Sequence, residues 1–98
     1  MIDFKLLKKI SETPGAPGFE RPIRELIKKE LNGFADSMEV DNLGNLIVKK
    51  NGKSAEKRVM VAAHMDEIGF MVSYIDDQGF VHLRHLVVLI LKHSLPSV

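Results

Sequence analysis

The sequence contains no cysteine and no tryptophan in its 98 residues. Without cysteine there can be no disulfide and no thiolate metal ligand, so any metal chemistry falls to His, Asp and Glu. The same absence is compatible with a reducing cytoplasm, the location expected here. Charge of one sign is missing too: 14 Lys and Arg stand against 13 Asp and Glu. So balanced a field points to neither nucleic acid nor an anionic membrane, and neither partner is expected. The longest apolar run, residues 86–91, falls far short of the ~20 residues that span a bilayer. The N-terminal stretch has no apolar core followed by a small-residue cleavage site, so no signal peptide is read there. This length suits one small domain rather than two.

What is present organises cleanly up to about Arg84. Asp3 is placed to cap a short helix whose buried side would carry Leu6, Leu7 and Ile10. Pro14, Gly15, Pro17 and Gly18 break that helix and form a loop. A second helix is expected over 21–31, with Pro22 in its first turn, where a missing N–H costs no helical bond. Ile23, Leu26, Ile27 and Leu31 recur at helical spacing and make one apolar face, and the intervening charges make a solvated one. Strands are expected over 38–41 and 46–49, around the turn residues Asn42 to Asn45, and Asn51-Gly52 reads as another turn. Five consecutive apolar residues, Val59 to Ala63, follow a charged loop and read as a strand buried on both faces of a covered sheet. Residues 69–75 and 80–83 read as a hairpin around Asp76 to Gly79. Two helices preceding several strands suggest an α/β layer architecture.

The chemistry is concentrated in Ala63-His64-Met65-Asp66-Glu67-Ile68-Gly69-Phe70. A neutral imidazole is a good ligand for a borderline divalent metal such as zinc. Such a ligand needs a carboxylate or carbonyl on its other nitrogen to fix tautomer and ring direction, and Asp66 is two residues away. Ligand sites in open α/β sheets lie beyond the carboxyl ends of strands, where this triplet is placed. Taken alone, His-x-Asp is a weak signal. A polar strand end with a hydrogen-bonded histidine reads it at least as well.

Three longer stretches carry a resemblance: residues 13–20 (TPGAPGFE), 40–47 (VDNLGNLI) and 61–72 (VAAHMDEIGFMV). In order and spacing the chain resembles the dodecameric (TET-type) glutamyl and deblocking aminopeptidases, a family of two-metal peptidases whose members are sometimes labelled cellulase or endoglucanase. The resemblance implies an α/β fold, the N-terminal part of a zinc-peptidase-like αβα sandwich. Residues 1–70 would belong to the catalytic domain, 71–85 would begin a β-rich insert used for dimerisation and assembly, and 86–98 would be a divergent tail. It further implies peptide substrates, a homo-oligomer, and two divalent metal ions, zinc or cobalt. In that family the histidine matching His64 ligates one metal, and the aspartate matching Asp66, counted with the catalytic residues, orients it. The metals activate a water and polarise the scissile carbonyl while a glutamate moves protons. The bridging Asp, the Glu-Glu pair, another Asp and a final His of the family have no counterpart here. The 98-residue chain is therefore expected to hold at most a partial metal site and to be inactive alone. Two other readings stay open: a non-catalytic remnant serving in binding or assembly, and a deacylase or glycosidase on the same scaffold.

Other residues have plainer readings. Glu67 is read as a pocket-rim residue or simply a surface one. Gly15 and Gly18 serve backbone turns. Asp41 and Asn45 satisfy turn backbone rather than a metal. His82, alternating with Val81 and Leu83, reads as a hydrogen-bonded strand histidine, and Met60, Met65 and Met71 as packing residues.

The tail has two readings. One is a genuine closing strand. The other, which codon arithmetic favours, is a reading-frame slip near Arg84 or His85. Valine codons begin GT, so a G in the preceding third position gives glycine in the shifted frame. Codons consistent with every residue from 85 onward allow PLGGFDPKTLPS there, which resembles the family's Gly-Gly continuation. Under this reading the gene carries one inserted or deleted base, and the other frame stays open well past codon 98. Sequencing the locus checks this, and early stops in all frames would make the tail native.

Overall fold

Each element of the fold begins from a local signal. Asp3 accepts hydrogen bonds from the backbone N–H groups of Lys5 and Leu6 at 3.0 and 3.1 Å, which caps helix α1, Phe4–Glu12. Such a cap stabilises a helix by about 1 kcal/mol. The Thr13 hydroxyl donates to the Lys9 carbonyl and closes its other end. Helix α2, Arg21–Leu31, carries Pro22 in its first turn as expected. The computed structural model describes residues 2–86. Beyond Leu86, the residues read as the tail lie outside it.

Four strands follow: β1 (Ser37–Val40), β2 (Leu46–Lys49), β3 (Phe70–Ile75) and β4 (Val81–His85). They form two separate antiparallel hairpins, β1–β2 and β3–β4. Both turns are built alike. Asp41 accepts from the N–H groups of Leu43 and Asn45, each at 2.9 Å, and Gly44 takes φ +88°. Asp76 accepts from Gln78 and Phe80 at 3.0 and 2.9 Å, and Gly79 takes φ +87°. An Asp opening the turn and a Gly in the left-handed region explain why both hairpins close where the sequence places them. Ser73 is an extra residue in the β3–β4 register, and its hydroxyl donates to the His82 carbonyl. His82 stacks on Tyr74 with centroids 4.1 Å apart and lies 3.2 Å from the Asp76 carboxylate, the hydrogen-bonded strand histidine expected.

Three expectations change. Residues 58–64 pair with no strand among the described residues, and Val61 is 90 % exposed rather than buried on both faces. An apolar run forms a strand only where another strand offers it N–H and C=O groups, and none of the described strands does. The apolar face of α1 is not buried either: Leu7 and Ile10 are exposed. Asn51-Gly52 makes no turn with a left-handed glycine; instead the Asn51 N–H donates to Asp36.

The core is correspondingly small. Ile23 on α2, 3 % exposed, is the buried apolar side chain among the described residues. Its burial stabilises by about 1.5–3 kcal/mol, far less than ordering so many residues costs. The accessible surface is 9240 Å², whereas a folded monomer of this size exposes about 5,600 Å². The apolar faces of α1, of the β3–β4 hairpin and of residues 59–61 are left to be covered by something else. The 98-residue chain alone is therefore expected to self-associate and to unfold without a sharp transition. Sedimentation velocity over a dilution series, with a thermal melt, checks this. A concentration-independent monomer with cooperative unfolding would contradict it.

Candidate functional site

The loop between the helices meets the segment bearing His64 at one point. The Gly15 N–H donates to the Glu67 carboxylate at 3.0 Å, and the Glu67 N–H donates back to the Gly15 carbonyl at 2.9 Å. Only a glycine allows this approach. A Cβ on Gly15 would lie 2.7 Å from Ile23 Cγ2 and 3.4 Å from the Met65 carbonyl. Two residues on, a Cβ on Gly69 would come within 3.0 Å of Ala16 Cβ. The loop is thus pressed between α2 and residues 65–69.

His64 and Asp66 are brought together as the sequence suggests. Nδ1 of His64 lies 2.9 Å from Asp66 Oδ1 and 3.1 Å from the Asp66 carbonyl. A carbonyl can only accept, so Nδ1 carries the proton and donates to both oxygens. In the neutral ring the lone pair is then on Nε2. The His64 side chain is 85 % exposed, which leaves Nε2 open to the groove beside it. This donor arrangement fits one ligand of a borderline divalent metal. Among the described residues no three His, Asp or Glu side chains come together.

The groove, of about 450 Å³, runs between α2, the β1–β2 turn and residues 63–66. Arg24 on α2 donates to the Gly44 carbonyl at 3.1 Å and ties that turn to the helix. Asp41, within the turn, also accepts from the Asn45 amide group at 2.8 Å. The role of Glu67 and the close approach at Gly15 were not legible as such. Glu67 reads as a rim residue and Gly15 as a turn glycine, since nothing in the sequence indicates that they meet.

The chain as a whole is similar to known proteins. The model of the M42 glutamyl aminopeptidase family matches residues 44–87. The lysyl aminopeptidase of Pyrococcus furiosus is 45% identical over 84 residues, covering 85% of this chain and 24% of that protein. The glutamyl aminopeptidase of Lactococcus lactis is 42% identical over 77 residues, covering 78% of this chain and 22% of that protein. A crystal structure of an endoglucanase from Thermotoga maritima superposes with a TM-score of 0.76 at 41% identity, over 85% of this chain and 27% of that one. The chain spans about a quarter of the length of the curated relatives it matches.

The groove wall is expected to loosen in acid. The Asn45 side chain, helped by backbone N–H groups, holds the Asp41 carboxyl below its ordinary value of 3.8, against a smaller opposing effect of burial. A carboxylate whose folded value is depressed stabilises fully above the unfolded value and loses that contribution as pH falls through the folded one. The turn thus has the full contribution of Asp41 above about pH 4 and loses it as the pH falls further. The amide resonances of Leu43 and Asn45, followed by NMR as pH falls, check this. In Asp41→Asn the acid-dependent movement should vanish.

Proposed function

The chain belongs to the M42 glutamyl aminopeptidase family, and on that premise we propose that it forms part of a metal-dependent enzyme that removes N-terminal residues from peptides. His64 is assigned as one ligand, through Nε2, to a divalent metal, zinc or cobalt. Asp66 is assigned as the carboxylate that orients it. The observation that carries this reading is the 2.9 Å contact between His64 Nδ1 and Asp66 Oδ1, inside the segment the family model matches. A metal of this kind, when bound, polarises a carbonyl and acidifies water. What the chain itself supplies is a donor held in one tautomer: Asp66 keeps the proton on Nδ1 and so strengthens Nε2 as a ligand.

The finer assignments belong to the same proposal. Residues 1–70 are read as part of an αβα-sandwich catalytic domain, and 71–85 as the start of a β-rich insert through which a homo-oligomer, a dodecamer, assembles in the cytoplasm. A catalytic metal site takes about three protein ligands. The remaining ligands, the bridging carboxylate and the glutamate base are therefore assigned to chain outside residues 2–86, and the 98-residue chain is read as inactive by itself.

The Thermotoga maritima protein's description as an endoglucanase raises glycoside hydrolysis as a second reading. Glycosidases work with two opposed carboxylates. Here the acids around His64 are already engaged, Asp66 with His64, Glu67 with Gly15 and Glu20 with the Gly18 N–H, which favours the peptidase reading.

A chimera tests it. This chain's segment replaces the matching 84 residues of the Pyrococcus furiosus lysyl aminopeptidase. Chelator-sensitive hydrolysis of a lysyl arylamide is expected. His64→Ala should abolish it, and Asp66→Asn should lower it about 10–100-fold. Activity that survives His64→Ala would overturn the assignment.

A further inference from the structure

Residues 58–69 lie outside every described strand and helix. The segment that bears the candidate metal ligand therefore owes its position to individual anchors. Two main-chain hydrogen bonds hold it among the described residues: the Glu67 N–H to the Gly15 carbonyl at 2.9 Å, and the Leu86 N–H to the Gly69 carbonyl at 3.0 Å. The first lies three residues from His64, and the Glu67 side chain doubles it by accepting from the Gly15 N–H at 3.0 Å. Gly15 in turn is buried against Ile23, the one fully packed residue of α2 among those described. A continuous chain of support runs from α2 through Gly15 and Glu67 to Asp66 and His64.

We propose that Glu67 is a positioning residue for His64: its carboxylate clamps the Gly15 loop so that the following strand-less segment presents the imidazole in one place. The proposal rests on the reading of His64 as a metal ligand. The physical case is one of restraint. A single N–H···O bond leaves the segment free to rotate about the bonded pair, whereas the side-chain bond adds a second point on the same residue. The second bond has a carboxylate acceptor and, at 3.0 Å, ordinary N–H···O length. Asp66 can fix the ring tautomer without this clamp. It cannot fix where the ring stands relative to ligands on other elements, since it moves with the same segment.

The test uses the active chimera described above, with Glu67→Ala, Glu67→Gln, Gly15→Ala and the Gly15→Ala/Glu67→Ala double variant. Glu67→Ala should weaken zinc affinity about tenfold in chelator competition and lower kcat about 10–100-fold, with KM within about twofold, because Glu67 is placed to hold His64 rather than to bind substrate. Glu67→Gln keeps an oxygen acceptor for the Gly15 N–H and should restore both to within about threefold, the loss of one charge-assisted bond. Because Gly15 and Glu67 act as a unit, the double variant should be no worse than the weaker single. The inference is overturned if Glu67→Ala keeps wild-type affinity and kcat while His64→Ala is dead. It is also overturned if Glu67→Ala lowers only the melting temperature, or if Glu67→Gln fails to rescue. A chimera whose activity ignores His64→Ala overturns the metal-ligand reading, and this inference with it.

Discussion

The exchange of hydrogen bonds between Gly15 and Glu67 is the constraint on which the rest depends. It joins residues 52 positions apart and brings the helical part of the chain against the part that carries His64. Local signals can build a helix or a hairpin, but they cannot say how two such pieces meet. Here the meeting is possible because Gly15 has no side chain to strike Ile23 and because Glu67 has one long enough to reach back. Arg24 makes a smaller link of the same kind, from α2 to the Gly44 carbonyl. Together these contacts set the walls of the groove beside His64.

The energetics of the described residues are lopsided. Turns and caps are well satisfied: Asp3, Asp41 and Asp76 each accept two or more backbone N–H groups. No buried side-chain polar atom lacks a partner among the described residues. The apolar side is the opposite, with Ile23 buried and Val59, Met60 and Val61 exposed in sequence. Surface ion pairs such as Lys9 with Glu30 contribute little, since both partners remain wet. Hydrogen bonding has been completed locally while hydrophobic burial has not. The apolar faces of the described residues are thus the part of the structure without a packing partner among them.

The chemistry of the site follows from one geometric fact. Both oxygens facing His64 Nδ1 belong to Asp66, and one is a carbonyl, so the ring has no choice of tautomer. The available lone pair is left on the exposed nitrogen. Under the proposed reading of His64 as a metal ligand, this preparation is half of what is needed; the other half is a fixed position, which depends on the backbone carrying the ring rather than on Asp66.

What the sequence determined by itself is everything whose cause lies within a few residues. Asp3, Pro22 and the helical spacing of Ile23, Leu26, Ile27 and Leu31 mark both helices, and α2 runs over the span they indicate. The Asp41–Gly44 and Asp76–Gly79 turns mark both hairpins, with ends displaced by a residue or two. The pairing of His64 with Asp66 was legible too, because two residues of separation keep it local. Tertiary structure alone decided the rest. The apolar run 59–63 carries strand residues, but a strand requires a partner ladder, and whether one lies alongside is not encoded in the run. Glu67 looked like a rim residue because its partner, Gly15, lies in a different part of the chain. Gly15 looked like a turn glycine because the atoms it must avoid, those of Ile23 and Met65, approach only when the helices and the His64 segment pack together. Local chemistry is written in short range; which distant groups it serves depends on excluded volume and hydrogen-bond partners that only the folded chain supplies.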